Sequence, residues 1–166
     1  MRSLIALGIV LGVTVGGLVA LGFFLGSVGN DDPSEGEITR EPLTIVTAQG
    51  EVARLQVEIA DTPETRSVGL SGRAEIPEDT GMLFIIPNRG SGFWMKDTLV
   101  PLSVAFLARC GEIVDIQDME PLSMDLHNTD AEYSFGLETP LGWFRDNGVE
   151  VGDLVSIPRD YRPDGC

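Results

Sequence analysis

Residues 81–114 read GMLFIIPNRGSGFWMKDTLVPLSVAFLARCGEIV, and this stretch decides the fold. It contains an apolar run (82–86), a loop punctuated by Pro87 and Gly92, and a cluster of distinctive side chains, Phe93, Trp94, Met95, Lys96 and Asp97. A second apolar run (102–107) and a turn at Arg109, Cys110 and Gly111 follow. Runs of five or six apolar and β-branched residues bounded by Gly and Pro are too short for globular helices and fit buried strands. The stretch is therefore expected to supply three or four strands of one sheet, with FWMKD where a strand meets a loop.

Ten of the eleven basic residues are arginine, and the only lysine is Lys96, within that cluster. Lysine is a compact, titratable cation with three donors, whereas arginine is a planar fork that stays charged. A site needing a small ammonium or an amine nucleophile would keep the lysine. An ion pair with Asp97 or Asp115 at a strand end is the structural alternative.

Upstream, residues 3–29 carry no charge, and 4–28 are almost wholly apolar. As a helix that run spans ~37 Å, enough to cross a ~30 Å hydrocarbon core with some tilt. It reads as one transmembrane helix, an uncleaved anchor. A cleavable signal would have a shorter apolar run and a small-x-small site before the polar region. Arg2 precedes the run and Asp31 and Asp32 follow it, so the positive-inside rule places the rest of the chain outside the cell. The expected location is the cell membrane, single-pass, with an extracytoplasmic C-terminal domain. Gly8, Gly12 and Gly16 share one helix face, which would let two such helices pack closely as a dimer, although glycine is common in membrane helices in any case.

Residues 30–42 (NDDPSEGEITREP) are acidic, bear Pro and Gly, and show no apolar periodicity, so they read as a linker. What remains suffices for one domain, expected over 43–158, with 159–166 as a flexible tail. The formal charge of −15 repels nucleic acid and anionic headgroups, so neither is an expected partner of the domain. Acidity with scarce lysine also fits a high-salt habitat, where screening relieves self-repulsion.

Residues 43–48 and 52–59 flank a Gln49-Gly50 turn, and Leu55, Val57 and Ile59 alternate with polar residues as in a half-buried hairpin. Asp61-Thr62-Pro63-Glu64 starts a short helix with Val68 and Leu70 facing inward. Residues 112–119 and 133–138 read as strands separated by a polar excursion that holds the only histidine, His127. Residues 140–147 read as a short helix with Pro140 in its first turn, Trp143 and Phe144 toward the core, and Gly148 as its left-handed stop. A last strand is expected over 154–157. The fold class is mainly β (α+β): a compact barrel or sandwich with two short helices.

Four ordered motifs carry a family resemblance: RSVGLSGR (66–73), GMLFIIP (81–87), FWMKDTLVPLSVAF (93–106) and GWFRDNGVEVGDLV (142–155). Together they resemble the family called domain of unknown function 192, over about residues 45–157. The resemblance implies a compact β-rich fold, often behind a signal or anchor, with no established activity. Leu70-Ser71 stands where the family usually has Leu-Met, and Asp97 where Asn is common.

No serine lies in a G-x-S-x-G context, so His127 has no evident nucleophile to serve. One histidine and two cysteines are too few for a dedicated zinc site, and no cofactor is expected. Met95, Met119, Met124, His127 and Cys110 are soft ligands that could hold copper, although methionine more often fills cores. Cys110 and Cys166, on the oxidising side of the membrane, could pair with each other, or Cys166 could pair between molecules. The binding reading uses Trp94 as a flat apolar face, with Lys96, Asp97 and Arg89 as hydrogen-bonding groups at a loop mouth, suited to a sugar, a small anion or a peptide strand. The same residues allow a small enzyme using Lys96 and Asp97, or an arrangement with Trp94 and Met95 packed inward. The sequence-level expectation is an accessory binding module.

Overall fold

The computed structural model describes residues 40–87 and 92–166. The chain divides into two units, Met1–Gly36 and Glu37–Cys166, and every described residue belongs to the second. The expected membrane helix with Gly8, Gly12 and Gly16, most of the linker, and Arg89 lie outside the described residues. Among the described residues no helix is long and apolar enough to cross a membrane.

Seven strands form one sheet: β1 (Glu41–Val46), β2 (Val52–Ala60), β3 (Thr80–Ile85), β4 (Leu102–Leu107), β5 (Ile113–Met119), β6 (Phe135–Pro140) and β7 (Leu154–Val155). Two short helices, α1 (Pro63–Val68) and α2 (Trp143–Asp146), lie in the connections. The strand order is β5-β4-β6-β3-β2-β1-β7, and only β2 and β3 run parallel. A parallel pair cannot be joined by a tight turn, and α1 lies in the crossover between these two strands. The sheet curls until its ends meet at one corner, where Glu112 bridges Leu154 and Val155 N–H bonds the Gly111 carbonyl at 2.9 Å. The result is a half-barrel made of a single sheet, so the sandwich alternative does not hold.

Alternation along the strands builds a core on each face. Leu83, Ala105, Leu107 and Leu137 join Leu43, Ile45, Leu55, Val57, Trp143 and Phe144 on one side. Met82, Phe84, Val104 and Phe106 join Leu70, Phe93, Met95 and Met119 on the other. All six residues of β4 are buried, which explains why its run is apolar apart from Ser103, whose hydroxyl is hydrogen-bonded to Asp118 and Gly142.

Several local expectations are corrected. FWMKD contributes no strand: only Phe93 forms a bridge, with His127, and the stretch 81–114 supplies β3, β4 and the start of β5. Val68 faces solvent, because α1 is a single capped helical turn with no buried residue, and Leu70 beyond it makes the inward contact. Pro140 ends β6, where it sits opposite Leu102, and α2 starts after Gly142. The linker stops short of 42, since Glu41 and Pro42 already belong to β1. The last strand is two residues long, and the tail beyond it is tied down. Arg159–Tyr161 forms a 3₁₀ turn, the Tyr161 hydroxyl donates to Asp61 at 3.0 Å, and Cys166 is disulfide-bonded to Cys110.

Candidate functional site

Strand register sets two rows across the face that carries the FWMKD segment. One runs Glu58, Met82, Glu138, Val104, Gln117; the next runs Ala60, Phe84, Gly136, Phe106, Asp115. Gly136 leaves a gap in its row, and the ring of Phe93 drops into it. The ring lies 5.2 Å from Phe84 and 5.6 Å from Phe106, both edge-to-face, and Phe106 meets Tyr133 in the same way at 5.0 Å. Such pairs stabilise by about 0.5–1.5 kcal/mol each beyond their buried area.

Anchored by Phe93, the segment crosses the sheet face in extended form. Phe93 and His127 exchange backbone hydrogen bonds at 2.8 Å, and Met95 N–H bonds the Ser123 carbonyl at 3.1 Å. Phe93 and Met95 therefore point into the core, while Trp94 and Lys96 point out. Trp94 remains 46% exposed, so it is not packed inward. Lys96 Nζ sits 5.6 Å from the centre of the Trp94 ring, and among the described residues no carboxylate pairs with it. Asp97 ends the segment at φ 58°, in the left-handed region that Asn and Asp tolerate better than most residues. Its carbonyl accepts from Gly72 N–H at 2.8 Å. Asp97 thus suits its backbone shape, without a ligand.

Between this segment, α1 and the excursion after β5 lies a cleft of about 740 Å³. Phe84, Phe93, Trp94 and Tyr133 supply aromatic wall, and Val68, Met124 and Leu126 form an exposed apolar rim. Arg66 also lines it, its guanidinium bonded to the carbonyls of Asp61 and Ile85. Glu138 lines the cleft from the sheet, on the same face as Gly136, and is 5% exposed. Its neighbours in register, Met82 and Val104, offer no hydrogen bond, and among the described residues its carboxyl has no partner. Burial alone pushes this carboxyl up to about 8. Glu58, two strands away in the same row, is treated oppositely. Arg73 grips it through both carboxylate oxygens at 2.7 and 2.6 Å, and Arg40 adds a third contact at 3.3 Å. The Arg73 hydrogen bonds hold Glu58 below the usual carboxylate range, against the opposing effect of burial.

Of the residues singled out from sequence, Trp94 and Met124 line the cleft, whereas Lys96 and Asp97 do not. Met95 and Met119 are sealed in one core cluster, Met124 is exposed, and His127 Nδ1 lies 3.2 Å from Gln117 Oε1. Cys110 is in the disulfide, and among the described residues no three His, Cys, Asp or Glu side chains group as metal ligands. The sequence alone singles out neither Glu138 nor Arg66. The available signal was an acid, Glu138, in a run (FGLETP) that carries no other charge.

Residues 44–157 match the family DUF192, described as uncharacterized ACR. Among solved structures, a candidate transcription regulator from Sinorhizobium meliloti 1021 is 31% identical with a TM-score of 0.70, the match covering 74% of this chain and 96% of that one. A protein of unknown function from Novosphingobium aromaticivorans DSM 12444 is 24% identical with a TM-score of 0.68, covering 75% and 89%. No curated protein matches the chain.

Proposed function

The chain belongs to the DUF192 family, and because that membership brings no assigned activity, we propose from the cleft that it is a binding module for a small, largely apolar ligand. The observation that carries this reading is the cleft of about 740 Å³ with half-exposed Trp94 in its wall and an apolar rim. Its volume falls in the usual range for small-molecule sites, and isolated apolar side chains on a surface rarely gather around a concavity without use. We place the module outside the cell, held at the membrane by residues 4–28, on the hydropathy and charge pattern of the N-terminus.

Alternative readings are weaker. An enzyme using Lys96 and Asp97 would need both at the cleft, and neither lines it. A copper site would need its soft ligands together and accessible, and two of the methionines are buried. DNA binding, suggested by the description of the Sinorhizobium relative, is opposed here by the net charge of −15.

The test is a thermal-shift and calorimetric screen of the full chain against small aromatic and aliphatic amphiphiles, with Trp94→Ala beside it. Binding that weakens in a well-folded Trp94→Ala supports the reading. Compounds that bind wild type and variant equally, or a complete absence of binders, would remove it.

A further inference from the structure

Glu138 is a buried acid of the cleft to which, among the described residues, the fold gives no counter-ion. A carboxyl 5% exposed between Met82 and Val104 is costly, and residues that stabilise packing alone would be apolar here. The other acid in that row, Glu58, is supplied with two arginines; among the described residues Glu138 is supplied with none.

Among the described residues, the groups that face it leave it open. β3 and β4 present Met82 and Val104, which do not titrate. From the side of α1, Arg66 lines the cleft but donates to two backbone carbonyls. From the segment before β6, the Tyr133 hydroxyl donates to Asn128 at 3.2 Å. Lys96 lies over Trp94 and outside the lining.

Resting on the reading of this cleft as a ligand site, we infer that its ligand is an organic cation: an ammonium group that meets Glu138, on an apolar or aromatic body held by Trp94 and Phe93. Aromatic faces attract cations, and the Lys96 ammonium beside Trp94 is an instance already built into this surface. A net charge of −15 raises the local concentration of cations and opposes anions. Without a cation beside it, burial pushes this carboxyl up to about 8, so that it holds its proton at neutral pH. An arriving ammonium stabilises the carboxylate, and the carboxyl proton leaves to solvent, so binding releases a proton while no covalent bond of the ligand changes.

The experiment is calorimetry on the full chain at pH 7 with phenethylammonium and its neutral counterpart 2-phenylethanol, in two buffers of different ionisation enthalpy. The ammonium is expected to bind at least about tenfold more tightly, with release of about one proton per ligand. Glu138→Gln is expected to bind both compounds as wild type binds the alcohol. Equal affinities in wild type, a preference that survives in Glu138→Gln, or binding without proton release each overturns the inference and leaves the cleft reading intact. Tighter binding of the alcohol, lost above pH 8, would make Glu138 a hydrogen-bond donor and also overturn it. If neither compound binds, the cation inference falls, and the Trp94→Ala screen decides the broader reading separately.

Discussion

The Phe93 ring occupies the place that a side chain at Gly136 would take: a Cβ added there would collide with it. Phe84 and Phe106 flank Gly136 on the neighbouring strands, so one absent side chain seats the whole FWMKD segment and, with it, one wall of the cleft.

Gly136→Ala is therefore expected to destabilise the domain by roughly 1–3 kcal/mol through overpacking. In a Phe93→Ala background the same change should cost much less, since the collision is gone. Denaturant unfolding of the four proteins measures this coupling, and simple additivity would rule out the packing account.

Glu138 makes stability depend on pH in an uncommon direction. Its folded carboxyl sits at about 8 against an ordinary 4.5, so between these values the folded state holds a proton that the unfolded state has lost. The contribution is full below 4.5, falls by up to about 1.4 kcal/mol per pH unit on the way to 8, and is level beyond. Glu138→Gln should show none of this slope, read from midpoints at pH 5, 6.5 and 8. A variant with a profile parallel to wild type would refute the assignment.

Glu58 carries the opposite dependence. Its folded carboxyl is lowered by Arg73, so its contribution is present above the unfolded value and lost as pH falls through the lower, folded one. Arg73→Ala should cost roughly 1–3 kcal/mol near neutrality, by stripping hydrogen bonds from an acid only 8% exposed. The loss should shrink in acid, which urea midpoints at pH 7 and 3.5 would register.

Lys96→Ala and Trp94→Ala separate binding from folding. Lys96 is exposed and unpaired among the described residues, so its removal should shift stability by no more than ~0.5 kcal/mol. Trp94→Ala should likewise stay folded while losing ligand. A steep fall in melting temperature for Lys96→Ala would return FWMKD to a purely structural role.

The Cys110–Cys166 disulfide closes a sequence separation of 56 residues and fastens the chain end to the turn before β5. In the chain-entropy model this stabilises by about 4 kcal/mol. Comparing unfolding with and without reductant checks it, and equal midpoints would make the link incidental.

The sequence by itself determined what is local. The β-rich class, the hairpin of β1 and β2, the short helix start at Thr62-Pro63 and the left-handed Gly148 follow from alternation, capping chemistry and turn residues, whose physics spans only a few positions. The motif resemblance to the family was legible for the same reason, since it rests on contiguous residues. The tertiary structure decided everything that depends on register. Nothing in FGLETP says which residues stand beside Glu138; that follows only when β3 and β4 flank β6 and place Met82 and Val104 there. Likewise FWMKD shows five distinctive side chains in a row, and only the gap at Gly136, distant in sequence, decides that Phe93 goes in and Trp94 is left at the cleft. A carboxyl's charge state is set by what surrounds it, and its surroundings are assembled from strands that the chain does not place next to one another in sequence.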